Sequence, residues 1–361
     1  MRSIFTLSVV WLLIHVLIGC SEPFLPDLEG KSEEIPVING RLLTGRAPEV
    51  ELNWASSFNH TGQYPISDAV VWIEDELHYR EYLAEDSPGN YFPINQDFIG
   101  NVGKTYMLHV ELPDGKCFES TPERIEKPPV IDSLYAFPVE RTIFVYNGSG
   151  DLMTEIKTGL TIQASISKDD SATCYFRFQT QAVAEITYWM ASPIPGTIEV
   201  PVFEWESNVL DKVYDVESSL PDGAKETVPE HEAGFLEFYY SWTQAVPGRT
   251  APYTEGWIVS MHVFSISPNV YRYYQSIEEQ LEGKKRYLSP IPAQVEGNMH
   301  CTSHSNTIVL GIFEAASEVV CHKGFSWRGL DEYLSMELED FPEDLGNGSQ
   351  EIFPPEWWIR F

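Results

Sequence analysis

Positive charge is what this chain has least of. Among its 361 residues only 23 are Lys or Arg, against 54 Asp or Glu, for a formal net charge of −31. A surface so acidic repels nucleic-acid phosphate and anionic headgroups. That excludes nucleic acid as a partner and excludes a basic patch as the route to a membrane. Cysteine is sparse as well, with Cys20, Cys117, Cys174, Cys301 and Cys321 the full set. No Cys-x-x-Cys or His-Glu-x-x-His spacing supports zinc. A Gly-x-Ser-x-Gly elbow, a Walker loop, a dinucleotide fingerprint and an Asp-x-Asp-x-Asp-Gly calcium loop are all missing too. These gaps lead us to expect no cofactor, no metal and no enzyme. Beyond the first twenty residues no apolar run reaches the roughly 20 residues of a spanning helix.

What is present starts at the amino terminus. Arg2 precedes a short apolar run from Ile4 to Ile18, closed by Leu17-Ile18-Gly19-Cys20. The run is short for a span, and a small residue followed by cysteine marks a signal peptide of the lipoprotein kind. The expected chemistry is diacylglyceryl transfer to the Cys20 thiol, cleavage after Gly19 and acylation of the new amino terminus. Stable anchoring needs more than one chain, which a triacylated Cys20 supplies. We therefore divide the chain into a signal peptide (1–19), a lipidated acidic tether (20–34) and a body held off the membrane.

The body reads as β. Hydrophobic residues are 43% of the chain and aromatic residues 13%, enough for packed cores. Apolar positions alternate through Ile35–Leu43, Val50–Trp54, Pro65–Ile73 and Gly103–Val110, and Asp114-Gly115 opens a turn into Cys117–Ser120. Short strands with turn signals every eight to twelve residues predict a sandwich over 35–127. Glu126-Lys-Pro-Pro-Val forms a joint, since residues before proline favour extended backbone. A larger β-rich sandwich or barrel is expected over 128–330, with alternation at Leu160–Ile166, Cys174–Trp189, Gly234–Trp242 and Trp257–Ile266. Ala191–Gly234, rich in proline and acid, reads as loops with a strand or two. One helix is well marked: Ser267 caps it, Pro268 takes its first position and Gly283 ends it, with Val270, Tyr273 or Tyr274, Ile277 and Leu281 on one face. An acidic, aromatic tail follows over 331–361.

Candidate chemistry is thin. His300, Cys301, His304, Cys321 and His322 have metal-ligand types, but neighbours on a strand point to opposite faces, so His300 and Cys301 do not readily share an ion. Glu204 and Glu206 share a strand face and form a candidate acid–base pair, in a chain where such pairs arise by chance. Cys301 and Cys321 are the disulfide candidate, being nearest in sequence. A strand–turn–strand–strand reading would set them about 9–10 Å apart, beyond the roughly 7 Å a bridge spans, so free buried thiols are the alternative. Tyr188-Trp189, Phe203 with Trp205, Tyr239-Tyr240 with Trp242, and Trp357-Trp358 either fill the core or serve as recognition anchors.

Several of these stretches together resemble one family. Cys20 in its lipobox, Pro65-Ile66-Ser67-Asp68-Ala69-Val70-Val71, the helix at 267–283, Glu296-Gly297-Asn298-Met299, Val309-Leu310-Gly311-Ile312-Phe313-Glu314-Ala315-Ala316-Ser317 and a terminal Pro-Pro-x-Trp occur in order. They are similar to the Bacteroidota lipoproteins catalogued as domain of unknown function 4249. The first sandwich also resembles the transthyretin-like and carboxypeptidase-regulatory-like module. Many relatives carry a cysteine pair in the tail; this tail has none after Cys321. The acids behind Cys20 (Glu22, Asp27, Glu29, Glu33, Glu34) resemble surface-export signals of that phylum. Asp132-Ser133-Leu134 and Asp170-Ser171-Ala172 resemble its O-glycosylation sequon, which makes Ser133 and Ser171 candidate sites. The resemblance implies an outer-membrane lipoprotein facing outward, a non-catalytic partner of a TonB-dependent receptor barrel. The alternatives are a surface hydrolase acting on glycan or peptide through carboxylates, and a structural envelope-assembly lipoprotein.

Overall fold

The computed structural model describes residues 35–55, 64–148, 151–167, 174–190, 200–209, 215–218, 228–237, 253–283, 295–304, 307–327 and 333–338. Gly19, Cys20 and the tether lie outside them. The described residues all belong to one compact unit, Ile35–Phe361. No helix among the described residues is long and apolar enough to cross a membrane.

The first eight strands are short: β1 (Pro36–Leu43), β2 (Glu49–Trp54), β3 (Val70–Asp75), β4 (Arg80–Ser87), β5 (Asn90–Pro93), β6 (Thr105–Glu111), β7 (Cys117–Ser120) and β8 (Glu123–Arg124). Their period-2 alternation sends Ile38, Leu42, Val50, Leu52, Val71, Ile73, Leu108 and Phe118 to one face, where they are buried. Gly115 in the Asp-Gly turn has φ of 85°, a conformation that favours glycine.

The strands that follow are longer: β9 (Val130–Tyr146), β10 (Leu152–Ser167), β11 (Tyr175–Met190), β12 (Val200–Val209), β13 (Asp215–Ser218), β14 (Val228–Glu237) and β15 (Tyr253–Ile266). After them come the helix α1 (Pro268–Gly283), β16 (Met299–Cys301), β17 (Leu310–Trp327) and β18 (Tyr333–Leu338). Ala191–Gly234 therefore holds β12, β13 and the start of β14, more strand than its prolines suggested. Pairing of β12 along β11 and of β14 along β10 supplies the order that local sequence does not.

The chain is mainly β, and most of its described strands belong to one curled, fifteen-stranded sheet whose main path is β12-β11-β15-β17-β1-β2-β5-β4-β3-β6-β7-β16, with β13 on β11, β18 on β17 and β8 on β6 off that path. A second sheet, β14-β10-β9, stands beside it. The element that joins the two halves is β17. Its first part runs parallel to β1, from Val37↔Leu310 to Leu43↔Ala316, and its later part pairs antiparallel with β15, from Ser265↔Ser317 to Gly256↔Ser326. Pro128 thus falls between two cores in sequence, yet the sheet itself is continuous. The first core gathers β1–β7 with Phe313, Ala315 and Met299; the second lies among β9, β10, β11, β14, β15 and Phe325.

Gly311 shows how tight the junction is. It has φ of 100°, and a Cβ there would collide with the Ile38 carbonyl oxygen. Helix α1 covers the opposite face of β17. The Ser267 hydroxyl accepts from the Val270 amide at 3.3 Å, the N-cap expected from sequence. Val270 and Tyr274 pack on Leu43, Phe264, Ile266, Ile312 and Ala316, with Ile277 partly buried against them. Full burial of Val270 contributes about 1.5–3 kcal/mol. Leu281 departs from the expected stripe and is exposed, because contact with the sheet ends before the last helical turn.

Candidate functional site

The alternation that buries one face of β1, β2 and β5 leaves a regular array of polar side chains on the other. Ile312, Asn39, Glu51 and Asn90 stand side by side across β17, β1, β2 and β5. Glu314, Arg41 and Glu49 form the next row, and Phe92 lies at its β5 end. Neighbours across strands are about 4.8 Å apart and rows about 7 Å apart, so the array spans roughly 14 Å. Tyr273 and Tyr274 of α1 wall one side. The result is an open cleft of about 360 Å³.

Its floor is anchored by a buried ion pair. Arg177 of β11 reaches over β15, donating from Nη2 at 2.8 Å and Nε at 3.2 Å to Glu314 Oε1. Tyr274 donates its hydroxyl to Glu314 Oε2 at 2.7 Å. The guanidinium carbon lies 3.9 Å from the Phe264 ring centroid and 5.2 Å from that of Tyr274, so the cation is held between two aromatic faces. Burial pushes the Glu314 carboxyl up, but Arg177, Arg41 and the two hydrogen-bond donors outweigh it and hold the group below the usual range. The same burial disfavours charge on Arg177, and the Glu314 carboxylate reverses that.

The rest of the floor is more open. Arg41 Nη1 is 3.5 Å from Glu49 Oε1, with the two side chains 38% and 57% exposed. Glu51 Oε1 accepts from Asn53 Nδ2 at 2.8 Å. Asn90 Nδ2 is engaged locally, donating to the Ser87 hydroxyl and the Pro88 carbonyl. Phe92 is 38% exposed.

Farther along the same face of β17, Glu318 lies 2.7 Å from His262 Nδ1 and 3.2 Å from Arg46 Nε. Burial raises the Glu318 carboxyl, and the His262 hydrogen bond and Arg46 bring it below its usual value. The Ser260 hydroxyl and His322 Nδ1 are 2.7 Å apart. This is a serine–histidine contact, but Ser260 is only 3% exposed, which closes it to a substrate. Burial, then the charge of His262, lowers the His322 pKa.

Sequence-predicted residues are scattered by the fold. His300 is exposed and Cys301 packs toward the first core, as opposite faces of a strand require. His304 lies beyond β16, whereas Cys321 and His322 sit on β17 beside β15. No group of three or more metal-ligating side chains occurs among the described residues. No disulfide joins Cys301 and Cys321. Cys301 faces Phe118 of β7 and Cys321 faces Met261 of β15, so the curl of the sheet sends the two cysteines to different cores. Ser133 is exposed on β9, paired with Ser165. Ser171 lies outside the described residues, as do Tyr239, Tyr240, Trp242, Trp357 and Trp358. So do the side chains of Tyr188, Trp189, Phe203, Trp205, Glu204 and Glu206, whose backbones belong to β11 and β12.

The cleft residues Asn39, Arg41, Glu49, Glu51 and Asn90 carried no sequence signal of their own, since polar residues alternating with core positions look like ordinary solvent-facing strand. What the sequence did mark was their scaffold. Gly297 and Gly311 allow a close backbone approach. Asn298 Nδ2 donates to Glu123 Oε1 and to the Phe313 carbonyl, each at 2.8 Å, while its Oδ1 accepts from the Phe313 amide.

A mainly β protein with an open polar cleft, built where the two halves of its sheet meet, is the class these features define. The chain belongs to the family described as Domain of unknown function (DUF4249), whose model matches residues 21–320. No curated protein and no solved structure matches it.

Proposed function

We propose that this protein is a lipid-anchored, outward-facing outer-membrane protein that captures a ligand in the cleft beside α1 as the non-catalytic partner of a TonB-dependent transporter. The observation that carries the binding reading is the cleft itself. Its floor is fixed by the Arg177–Glu314–Tyr274 cluster, and its polar groups project from rigid strands, the arrangement recognition requires. The lipobox at Gly19-Cys20 supports the anchor, and the family resemblance supports the transporter.

A hydrolase is the second reading, and one feature favours it. Glu49 and Glu51 share a face about 7 Å apart, within the range of inverting glycosidase pairs. The acid of such a pair sits in an apolar pocket, whereas the Glu49 side chain is 57% exposed and faces Arg41. Binding is therefore the better reading.

Purification of the full chain in mild detergent, with mass spectrometry of its partners and its modified amino terminus, tests the proposal. A stoichiometric barrel partner and an acylated Cys20 are expected. A Cys20→Ala form that fractionates like the wild type and incorporates no palmitate in either case overturns the anchor. Absence of any barrel partner overturns the transporter assignment.

A further inference from the structure

The side chains on the cleft floor decide between ligand chemistries. An anion would meet Glu49, Glu51 and Glu314, while the guanidinium of Arg41 already lies between two of those carboxylates in the row Glu314–Arg41–Glu49. An apolar ligand would strip water from these polar groups and return nothing. A simple cation would gain from the carboxylates but would be repelled by Arg41, and it would leave the amides of Asn39 and Asn90 unused. A zwitterion would have to place its own carboxylate at Arg41, between Glu49 and Glu314. A hydroxyl group is both donor and acceptor, and so are the amides. A ligand carrying several hydroxyls can donate to Glu51, exchange hydrogen bonds with Asn39 and accept from Arg41 without introducing a net charge. Phe92, exposed at the β5 end, offers a flat apolar face for ring C–H groups.

We propose that this cleft binds a neutral saccharide, of one or two rings, through Asn39, Glu51 and Arg41, with Phe92 as the stacking face. The cleft volume of about 360 Å³ lies at the lower end of small-molecule sites, which suits a ligand of that size. The assignment deepens the binding reading above and is independent of whether a transporter barrel is present.

The test is saturation-transfer NMR on the full acylated chain in lauryldimethylamine oxide micelles, a detergent without a sugar headgroup. Maltose, cellobiose and lactose serve as probes, with glycylglycine, spermidine and citrate as zwitterionic, cationic and anionic controls. Saturation of the ring protons of at least one disaccharide is expected. Asn39→Ala and Glu51→Gln should each weaken that binding tenfold or more, and Phe92→Ala should reduce transfer to the ring protons most. Phe92 is a surface position, so its variant keeps the test valid if the others unfold; thermal melts monitor all three. The proposal is overturned if none of the disaccharides is saturated, if the variants leave the signal unchanged, or if spermidine or glycylglycine binds through Glu51 in their place. Cleavage of a bound disaccharide, lost in Glu49→Gln, would support the ligand class and overturn the non-catalytic reading. A missing barrel partner with intact sugar binding would overturn the transporter assignment alone.

Discussion

Two buried glutamates, Glu314 in the cleft floor and Glu123 at the start of β8, have nearly the same exposure, 1% and 0%, and opposite electrostatics. Glu314 has a guanidinium against it, and its carboxyl is held below the usual range after burial has pushed it up. Glu123 has neutral hydrogen-bond donors, Thr121 Oγ1 at 3.1 Å and Asn298 Nδ2 at 2.8 Å. There burial prevails over the hydrogen bonds from Ser267, Asn298, Thr121 and Asn269, and the carboxyl is raised. Burial alone therefore does not fix the charge of a carboxyl; the formal charge of its partner does. The first arrangement keeps a fixed charge network under the cleft. The second ties the segment at Asn298 to β8 without a cation.

The largest expected effect lies at Arg177. Arg177→Met should leave the Glu314 carboxylate buried without its cation and cost about 3–5 kcal/mol, read as a shift in urea midpoint at pH 7. A loss below 1 kcal/mol would mean that Glu314 is not charged in the fold. Asn298→Ala is expected to cost less, about 1–3 kcal/mol, since it removes neutral hydrogen bonds to Glu123 and Phe313. It should also lift protection from hydrogen exchange at the Phe313 amide.

The two carboxyls also respond oppositely to pH. The raised Glu123 carboxyl means that the native state holds this proton more tightly than the unfolded chain does, so its contribution is present below the ordinary carboxyl range and is lost as pH rises through the folded value. For Glu314, lowered in the fold, stability is present above that range and is lost as pH falls through the folded value. Glu123→Gln should accordingly flatten the alkaline side of a stability profile measured from pH 4 to 8 and leave the acid side intact. An unchanged alkaline limb would refute the burial account. The smallest effect belongs to the exposed pair on the open part of the cleft floor, where Glu49→Gln should change stability by less than about 1 kcal/mol in the same urea assay.

Much of the fold was legible in the sequence because its period is local. Alternation located β1, β2, β3 and β6, and Ser267, Pro268 and Gly283 bounded α1 to within a residue. Where the local signal is weak, long-range pairing decides: β12 contains Pro201, lies in a stretch read as loops with a strand or two, and takes its order from β11. The cleft was invisible for a related reason. Asn39, Glu51 and Asn90 become neighbours only through pairings among strands, and Glu314 joins them through a parallel pairing between segments near opposite ends of the chain. Nothing in Ile312-Phe313-Glu314 told which way Glu314 would face or that Arg177 would meet it.

The amino-acid sequence by itself determined the β character and the helix, because each of these depends on residues within one turn or one strand, and it fixed the acidity by composition alone. Tertiary structure alone decided that β17 would serve both halves of the sheet, that Cys301 and Cys321 would part company, and that burial would raise one glutamate's pKa while a neighbouring guanidinium lowered another's. Those outcomes depend on which strands lie side by side and on what stands within hydrogen-bond reach of a buried oxygen, and neither distance is written along the chain.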